Sequence, residues 1–217
     1  MSALNFSSPA QDYFRMSADF TTKVKPAQGK ASLTRGKVFY DKYTKELIYD
    51  ISFPSKEKWI TQDSRIYKVK NDSIYSSDEI PNLNEFSIFH LSLNSTLSYY
   101  GLREARFTIS KVDKKGDLVI SYWDIPQQIR EMIGNIAVAK KGNRLHSVVI
   151  AGPEENILSK QFFQDYIKTG GFEFPGKIVQ IYYNDAGEEN YQVTEFKNII
   201  LNDTENEESY HYQLDKL

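Results

Sequence analysis

The sequence predicts a mainly β chain with a few helices, built on one strongly curved antiparallel sheet. Three observations carry this expectation. Aromatic residues make up 14% of the 217 residues, with 15 Tyr, 13 Phe and 2 Trp, and aromatic side chains favour the pleated, half-buried surface of a sheet. Apolar residues recur with period two along most of the chain, the pattern of strands that bury one face. The connections between such segments are short, so successive strands are expected to pair as an antiparallel meander. An open sheet of roughly ten or more strands must curl. No internal repeat, low-complexity tract or long linker divides the chain, so residues 1–217 are expected to form a single domain.

The elements follow in order. Ser8 and Pro9 ahead of Ala-Gln-Asp-Tyr-Phe predict a short helix, with Ser8 as N-cap and Pro9 at the first helical position. From Ser17 the period becomes two: Ala18, Phe20, Thr22 and Val24 alternate with Ser17, Asp19, Thr21 and Lys23. A second strand is expected from Ser32 to Lys42, with Gly36, Val38, Tyr40 and Lys42 on one face. A third, from Glu46 to Phe53, places Leu47, Tyr49 and Ile51 together before Pro54 ends it. Trp59 to Gln62 and Arg65 to Lys70 continue the pattern, and Asn71-Asp72 turns the chain into Ile74-Tyr75.

Between Pro81 and Gly101 the period turns helical. Leu83, Phe86, Leu93 and Leu97 form a stripe that Ile88, Phe89 and Leu91 widen, so one or two helices interrupt the sheet. Strands resume at Ala105 to Val112 and Asp117 to Trp123, and Pro126 opens a short helix through Met132. Further strands are expected at Ile136 to Ala139, Arg144 to Ala151, Ile157 to Tyr166, Ile178 to Tyr183, Tyr191 to Ile200 and Tyr210 to Asp215.

Composition excludes several functions. The formal net charge is −2, which provides no global field to draw the chain onto a polyanion, and no nucleic-acid partner is expected. No apolar run approaches the roughly 18 residues of a membrane-spanning helix. The absence of cysteine removes thiol catalysis, cysteine-ligated zinc, iron–sulfur clusters and disulfides. The first twenty residues lack an apolar core segment, so no signal peptide or lipobox is expected there.

Motifs for chemistry are equally sparse. Gly171 to Ile178 satisfies G-x-x-x-x-G-K, yet Ile178 stands where a phosphate loop needs Ser or Thr. Pro175 has no N–H for phosphate, and the residues that follow alternate as a strand where a helix N-terminus is required. His90, His146 and His211 show no metal-ligand spacing, and no serine sits in a nucleophile elbow. No enzyme activity, cofactor or metal is expected; a carboxylate pair assembled from distant strands is the one hydrolytic arrangement that sequence leaves open. What stands out is geometry. An apolar concave face needs a lid, a partner or a ligand; the alternative is that Leu83, Phe86, Leu93 and Leu97 fill a closed core.

The order of elements resembles a known family. Ala18-Asp-Phe20-Thr-Thr-Lys-Val24, then Gly36-Lys-Val38-Phe-Tyr40-Asp-Lys42, then Leu47-Ile-Tyr49-Asp-Ile-Ser-Phe-Pro54 and Asp63-Ser-Arg-Ile66-Tyr67 are similar to the outer-membrane lipoprotein carriers of the LolA/LolB type. The closing stretch Val193-Thr-Glu-Phe196-Lys-Asn198-Ile-Ile-Leu201-Asn202, followed by Tyr210 to Asp215, resembles that family's last hairpin. The resemblance implies an incomplete antiparallel barrel, apolar inside, with helices as a lid on the concave face. It implies carriage of lipoprotein acyl chains or lipid between inner and outer membrane, in the periplasm, without catalysis. The signal peptide or lipid anchor is then absent from this sequence. Expected partners are an inner-membrane ABC-type release complex and an outer-membrane acceptor, and the chain is expected to be monomeric.

The resemblance also bears on single residues. Leu47 and Tyr49 match positions of the family's concave aromatics, and alternation places Val38 and Tyr40 on the face of Lys42. Together with Phe20 from the first strand, Tyr67, and Phe86, Phe89 and Leu93 from the helical segment, they are expected to line the apolar cavity. Lys42 falls where the carriers have an arginine that latches the lid. A lysine lacks the planar five-donor fork of arginine, and Arg65 stands where the family hairpin prefers glycine. A second reading from a different class is an interaction module of the same fold that binds a signalling protein.

Overall fold

The computed structural model describes residues 12–62, 64–79, 87–184 and 186–214. Two meanders build the sheet. The first comprises β1 (Arg15–Lys25), β2 (Ser32–Asp41), β3 (Leu47–Phe53), β4 (Glu57–Gln62), β5 (Arg65–Lys70) and β6 (Ser73–Glu79). The second comprises β7 (Thr108–Lys115), β8 (Leu118–Asp124), β9 (Asn135–Lys141), β10 (Arg144–Ala151), β11 (Ile157–Thr169), β12 (Phe172–Tyr183) and β13 (Glu189–Leu201). Antiparallel pairing of β1 with β13 joins them into one 13-stranded sheet, ordered β6-β5-β4-β3-β2-β1-β13-β12-β11-β10-β9-β8-β7. The sheet is not closed: it is an open half barrel with β6 and β7 as its edges.

That order creates the lid. β6 and β7 lie at opposite ends of the sheet, so the chain between them must traverse it. The segment contains α1 (Ile88–Leu93) and a 3-10 turn at Leu97–Tyr99. Ser87 caps α1, its side chain accepting from the His90 N–H. Phe89 and Leu93, one helical turn apart, bury into a cluster with Met16, Phe20, Val38, Tyr40, Phe174 and Phe196. Leu91 and Leu97 enter a second cluster with Trp123, Val138, Val148 and Phe163. The crossing segment therefore divides the inner face into two packed halves. It is less helical than its stripe predicts, because the chain turns left-handed at Ser95 (φ 58°), directly after the Asn94 cap.

The asparagines of the closing segment have physical roles. Asn198 takes φ 51° where the β1–β13 register shifts, and its amide donates to Asp19 at 2.7 Å. The Asn202 carbonyl accepts from the Phe14 N–H at 2.9 Å, and its amide donates to the Asp12 carbonyl at 3.0 Å, which fixes the approach to β1.

One expected strand is absent. Tyr210 to Asp215 is not a strand over its described residues, which are irregular after a 3-10 turn at Glu207–Ser209. Its neighbour by sequence, β13, is already paired on both sides, by β1 and β12. The tail instead covers the outer face, where Tyr212 and Leu214 pack on Ile48, Ile60 and Val69. The buried Glu46 carboxylate holds it, accepting from the Tyr212 N–H at 2.9 Å and lying 2.7 Å from His211 Nδ1. The stretch from Phe172 to Ile178 is strand, within β12, where Phe172 and Phe174 are buried. The helix expected at Ser8 and Pro9 lies outside the described residues apart from its last positions, 12–14, which have no regular structure. Leu83 and Phe86 also lie outside the described residues.

Candidate functional site

The register of the central strands sets three cross-strand rows on the inner face. Phe20 faces Phe196 across β1 and β13, and Gly36 lies opposite Phe20 on β2. The next row reads Thr34, Thr22, Thr194, Ile178 and Phe163 across β2, β1, β13, β12 and β11. The third reads Ser32, Val24, Gln192, Gln180 and Gln161 over the same strands. These rows border a cavity of about 460 Å³, within the range of about 300–1,000 Å³ that suits small ligands. Tyr49 and Trp59 extend its wall, and Ile88 and Tyr100 close it from the crossing segment.

Phe89 packs behind the wall residues Tyr49 and Phe196. It is 1% exposed, stacks on Phe174 with centroids 5.6 Å apart and meets the Phe196 ring edge-on at 5.6 Å. Phe20 and Tyr49 meet edge-on at 5.1 Å beside it. Such pairs add about 0.5–1.5 kcal/mol each beyond the area they bury. The space that remains between these rings and the roof has apolar and uncharged polar walls. No Asp, Glu, Lys, Arg or His lines it among the described residues.

The tie between helix and floor is Tyr40 to His90: the hydroxyl lies 2.6 Å from Nδ1. Lys42 is not that tie. Its ammonium donates to Asp12 at 2.6 Å, on the approach to β1, and its backbone N–H donates to the Phe14 carbonyl. The hydrogen bonds from Lys42 and Tyr43 hold the Asp12 carboxyl below its ordinary range. Lys42 instead borders a second, more open cavity of about 840 Å³. Arg144 and Glu173, paired at 2.8 Å, stand on the same rim, which runs past the end of α1.

Burial pushes the Tyr49 phenol up to about 12 and raises Tyr100 as well, so both stay neutral across the physiological range. The described residues contain no group of three His, Asp or Glu side chains able to hold a metal ion, and no helix among them is long and apolar enough to cross a membrane.

No protein-family model matches the sequence, and comparison with curated proteins finds no match. Solved structures do match. A LolA superfamily protein from Nitrosomonas europaea superposes with a TM-score of 0.61 at 11% identity, over 94% of this chain and 92% of the other. The chain has the LolA-like fold. A DUF1329 family protein from Desulfovibrio piger (TM-score 0.61, 12% identity, 88% and 87% coverage) and an outer-membrane lipoprotein-sorting protein domain from Vibrio parahaemolyticus (0.51, 12%, 90% and 88%) share it.

On this LolA-like scaffold the residues singled out from sequence separate into groups. Phe20 and Tyr49 line the open cavity. Val38, Tyr40, Leu47, Phe89 and Leu93 meet in the packed cluster alongside it, each buried. Tyr67 lies on the opposite face: it pairs with Ile60, which pairs with Ile48 in the outer cluster, and a residue one register position away would have faced inward. Phe86 is not among the described residues. Sequence reasoning missed Trp59, Phe163, Ile178 and Phe196, although each keeps period two with inward neighbours on its strand. It also did not single out the uncharged polar residues of the wall, although alternation puts Thr22 on the face of Phe20 and Val24.

Proposed function

We propose that this protein binds the acyl chains of lipoproteins or other lipids against the inner face of its half barrel. It carries them through the periplasm, between the inner and outer membranes, without catalysing a reaction. The observation that supports this best is unfilled space lined by Phe20, Tyr49, Trp59, Phe163 and Phe196 where a sheet of this size would otherwise pack solid. Each CH₂ moved from water into such a site contributes about 0.8 kcal/mol, so an acyl chain gains affinity in proportion to the length it inserts.

The crossing segment makes a larger site available. Phe89 and Leu93 are the side chains that occupy the aromatic cluster next to the cavity; lifting α1 withdraws both and joins that surface to the existing space. The lipoprotein-sorting domain with which the chain shares its fold makes an acylated protein the first cargo to test. In this reading residues 1–217 act as one monomeric domain that receives cargo from an inner-membrane ABC-type complex and delivers it to an outer-membrane acceptor.

Native mass spectrometry of the purified protein, alongside displacement of an acyl-chain fluorophore, tests the proposal. Co-purified lipid, or saturable displacement by a lipopeptide at micromolar concentration, is the expected result. A clean apo mass with no uptake of the fluorophore would overturn it.

A further inference from the structure

Three glutamines stand side by side on the cavity wall. Gln192 of β13 faces Gln180 of β12, which faces Gln161 of β11, and all three line the cavity. Gln161 is partly engaged, its Oε1 accepting from the Tyr100 hydroxyl at 3.2 Å. Among the described residues the side-chain amides of Gln180 and Gln192 have no hydrogen-bond partner. Both are half-buried. One row deeper, Thr22 and Thr194 pair through their hydroxyls at 3.0 Å.

A plain hydrocarbon chain is a poor match for this wall. It would displace water from the amides and leave donors and acceptors unpaired, at about a tenfold loss of affinity per group. A phosphate head is no better, because no cation among the described residues lines the cavity to meet it, and a desolvated anion without a counter-charge is strongly disfavoured. Each amide offers a carbonyl acceptor and two N–H donors. The group that satisfies a row of them is uncharged and carries carbonyl oxygens together with a hydroxyl or N–H. Ester and amide linkages at the head of acyl chains have that chemistry.

We propose that the Gln161, Gln180 and Gln192 row binds the uncharged ester or amide linkage at the head of an acylated cargo, with the chains lying over Phe20, Phe163 and Phe196. This rests on the acyl-binding reading above and adds to it a selection for neutral over phosphate-bearing heads. A free diacylglycerol and a diacylated lipopeptide share the chemistry.

The test is competition against a pyrene-labelled hydrocarbon by dioctanoylglycerol, dioctanoyl phosphatidic acid and a diacylated cysteinyl peptide. On the wild-type protein, at least one neutral competitor is expected to act at about tenfold lower concentration than phosphatidic acid. In Gln180→Leu/Gln192→Leu that competitor is expected to weaken about tenfold, while the hydrocarbon probe binds more tightly. Loss confined to the glyceride identifies free lipid as the source of the head, and loss confined to the peptide identifies an acylated protein. Gln180→Glu retains side-chain length and hydration in the unliganded protein, so it tests the same point if the double variant folds poorly; it is expected to lose neutral competitors too. Equal competition by neutral and anionic lipids, or unchanged neutral binding in folded variants that still take up the probe, would overturn the inference alone. Failure of the wild type to take up the probe would overturn the acyl-binding reading and this inference with it.

Discussion

The hydroxyl of Tyr40, on the floor of the half barrel, and Nδ1 of His90, on the helix that crosses it, are 2.6 Å apart. Tyr40 is fully buried, so this bond is made away from bulk water. Tyr40→Phe retains the ring stacked on Phe89 and deletes the hydroxyl, removing about 1 kcal/mol of net stabilisation from the closed helix. Hydrogen exchange at residues 88–93 is expected to accelerate about fivefold. Lys42→Leu is expected to leave those amides unchanged, because Lys42 bonds Asp12 and not the crossing segment. Equal acceleration by both substitutions would remove Tyr40 from the closing mechanism.

Much of the sheet is legible in sequence because many of its strands keep a drier face and a wetter one, as in β1. Arg65–Lys70 and Arg144–Ala151 begin and end where alternation places them. Tyr67 shows the limit of that signal: in a strand where residues 65–68 are all half-buried, period two does not say which face is inner. The tail shows another, since Tyr210 and Tyr212 alternate with polar residues but their partners are the Phe39 ring and the Glu46 carboxylate, not a free strand edge. The glutamine row is hidden for a third reason. Cross-strand neighbours 161, 180 and 192 are distant in sequence and become adjacent only through register.

Phe89 concentrates the packing of the crossing segment into one side chain. Its ring contacts Tyr40, Tyr49, Phe174 and Phe196. Phe89→Ala is expected to cost about 3–5 kcal/mol, the usual range for removing a buried phenylalanine. The same substitution enlarges the apolar space beside the cavity. Urea unfolding should show the loss, and an acyl-chain fluorophore should bind more tightly to the folded fraction. A loss below about 1 kcal/mol would mean that the helix relaxes into the gap and that Phe89 does not set its position.

Gly36, in the strand segment that resembles the carriers, has a steric reason to be glycine. A Cβ there would lie 2.0 Å from the Asp50 carbonyl oxygen and 2.9 Å from the Ile51 Cα, both backbone atoms. The β2–β3 register shifts at this point, between Arg35 and Gly36, so the two chains approach more closely than side chains permit. Gly36→Ala is expected to destabilise the protein by about 1–3 kcal/mol through forced separation of these strands. The urea midpoint measures it, and an unchanged midpoint would show that the strands part without penalty.

Tyr49 ties the neutrality of the cavity to an alkaline limit on stability. Burial raises its phenol from the ordinary 10 to about 12, so the folded protein retains a proton that the unfolded chain releases first. The stabilisation is fully present below pH 10 and is lost as pH rises toward 12. Holding the proton across that window corresponds to about 2–3 kcal/mol. Tyr49→Phe retains the ring against Phe20 and has no proton to lose. Measured by urea unfolding from about pH 9 to about pH 12, its stability relative to wild type is expected to be flat up to about pH 10 and then to rise by about 2 kcal/mol. Parallel curves across the whole range would mean that the phenol ionises in place. The cavity wall would then tolerate a charge, contrary to the selection for uncharged heads that the glutamine row is inferred to impose.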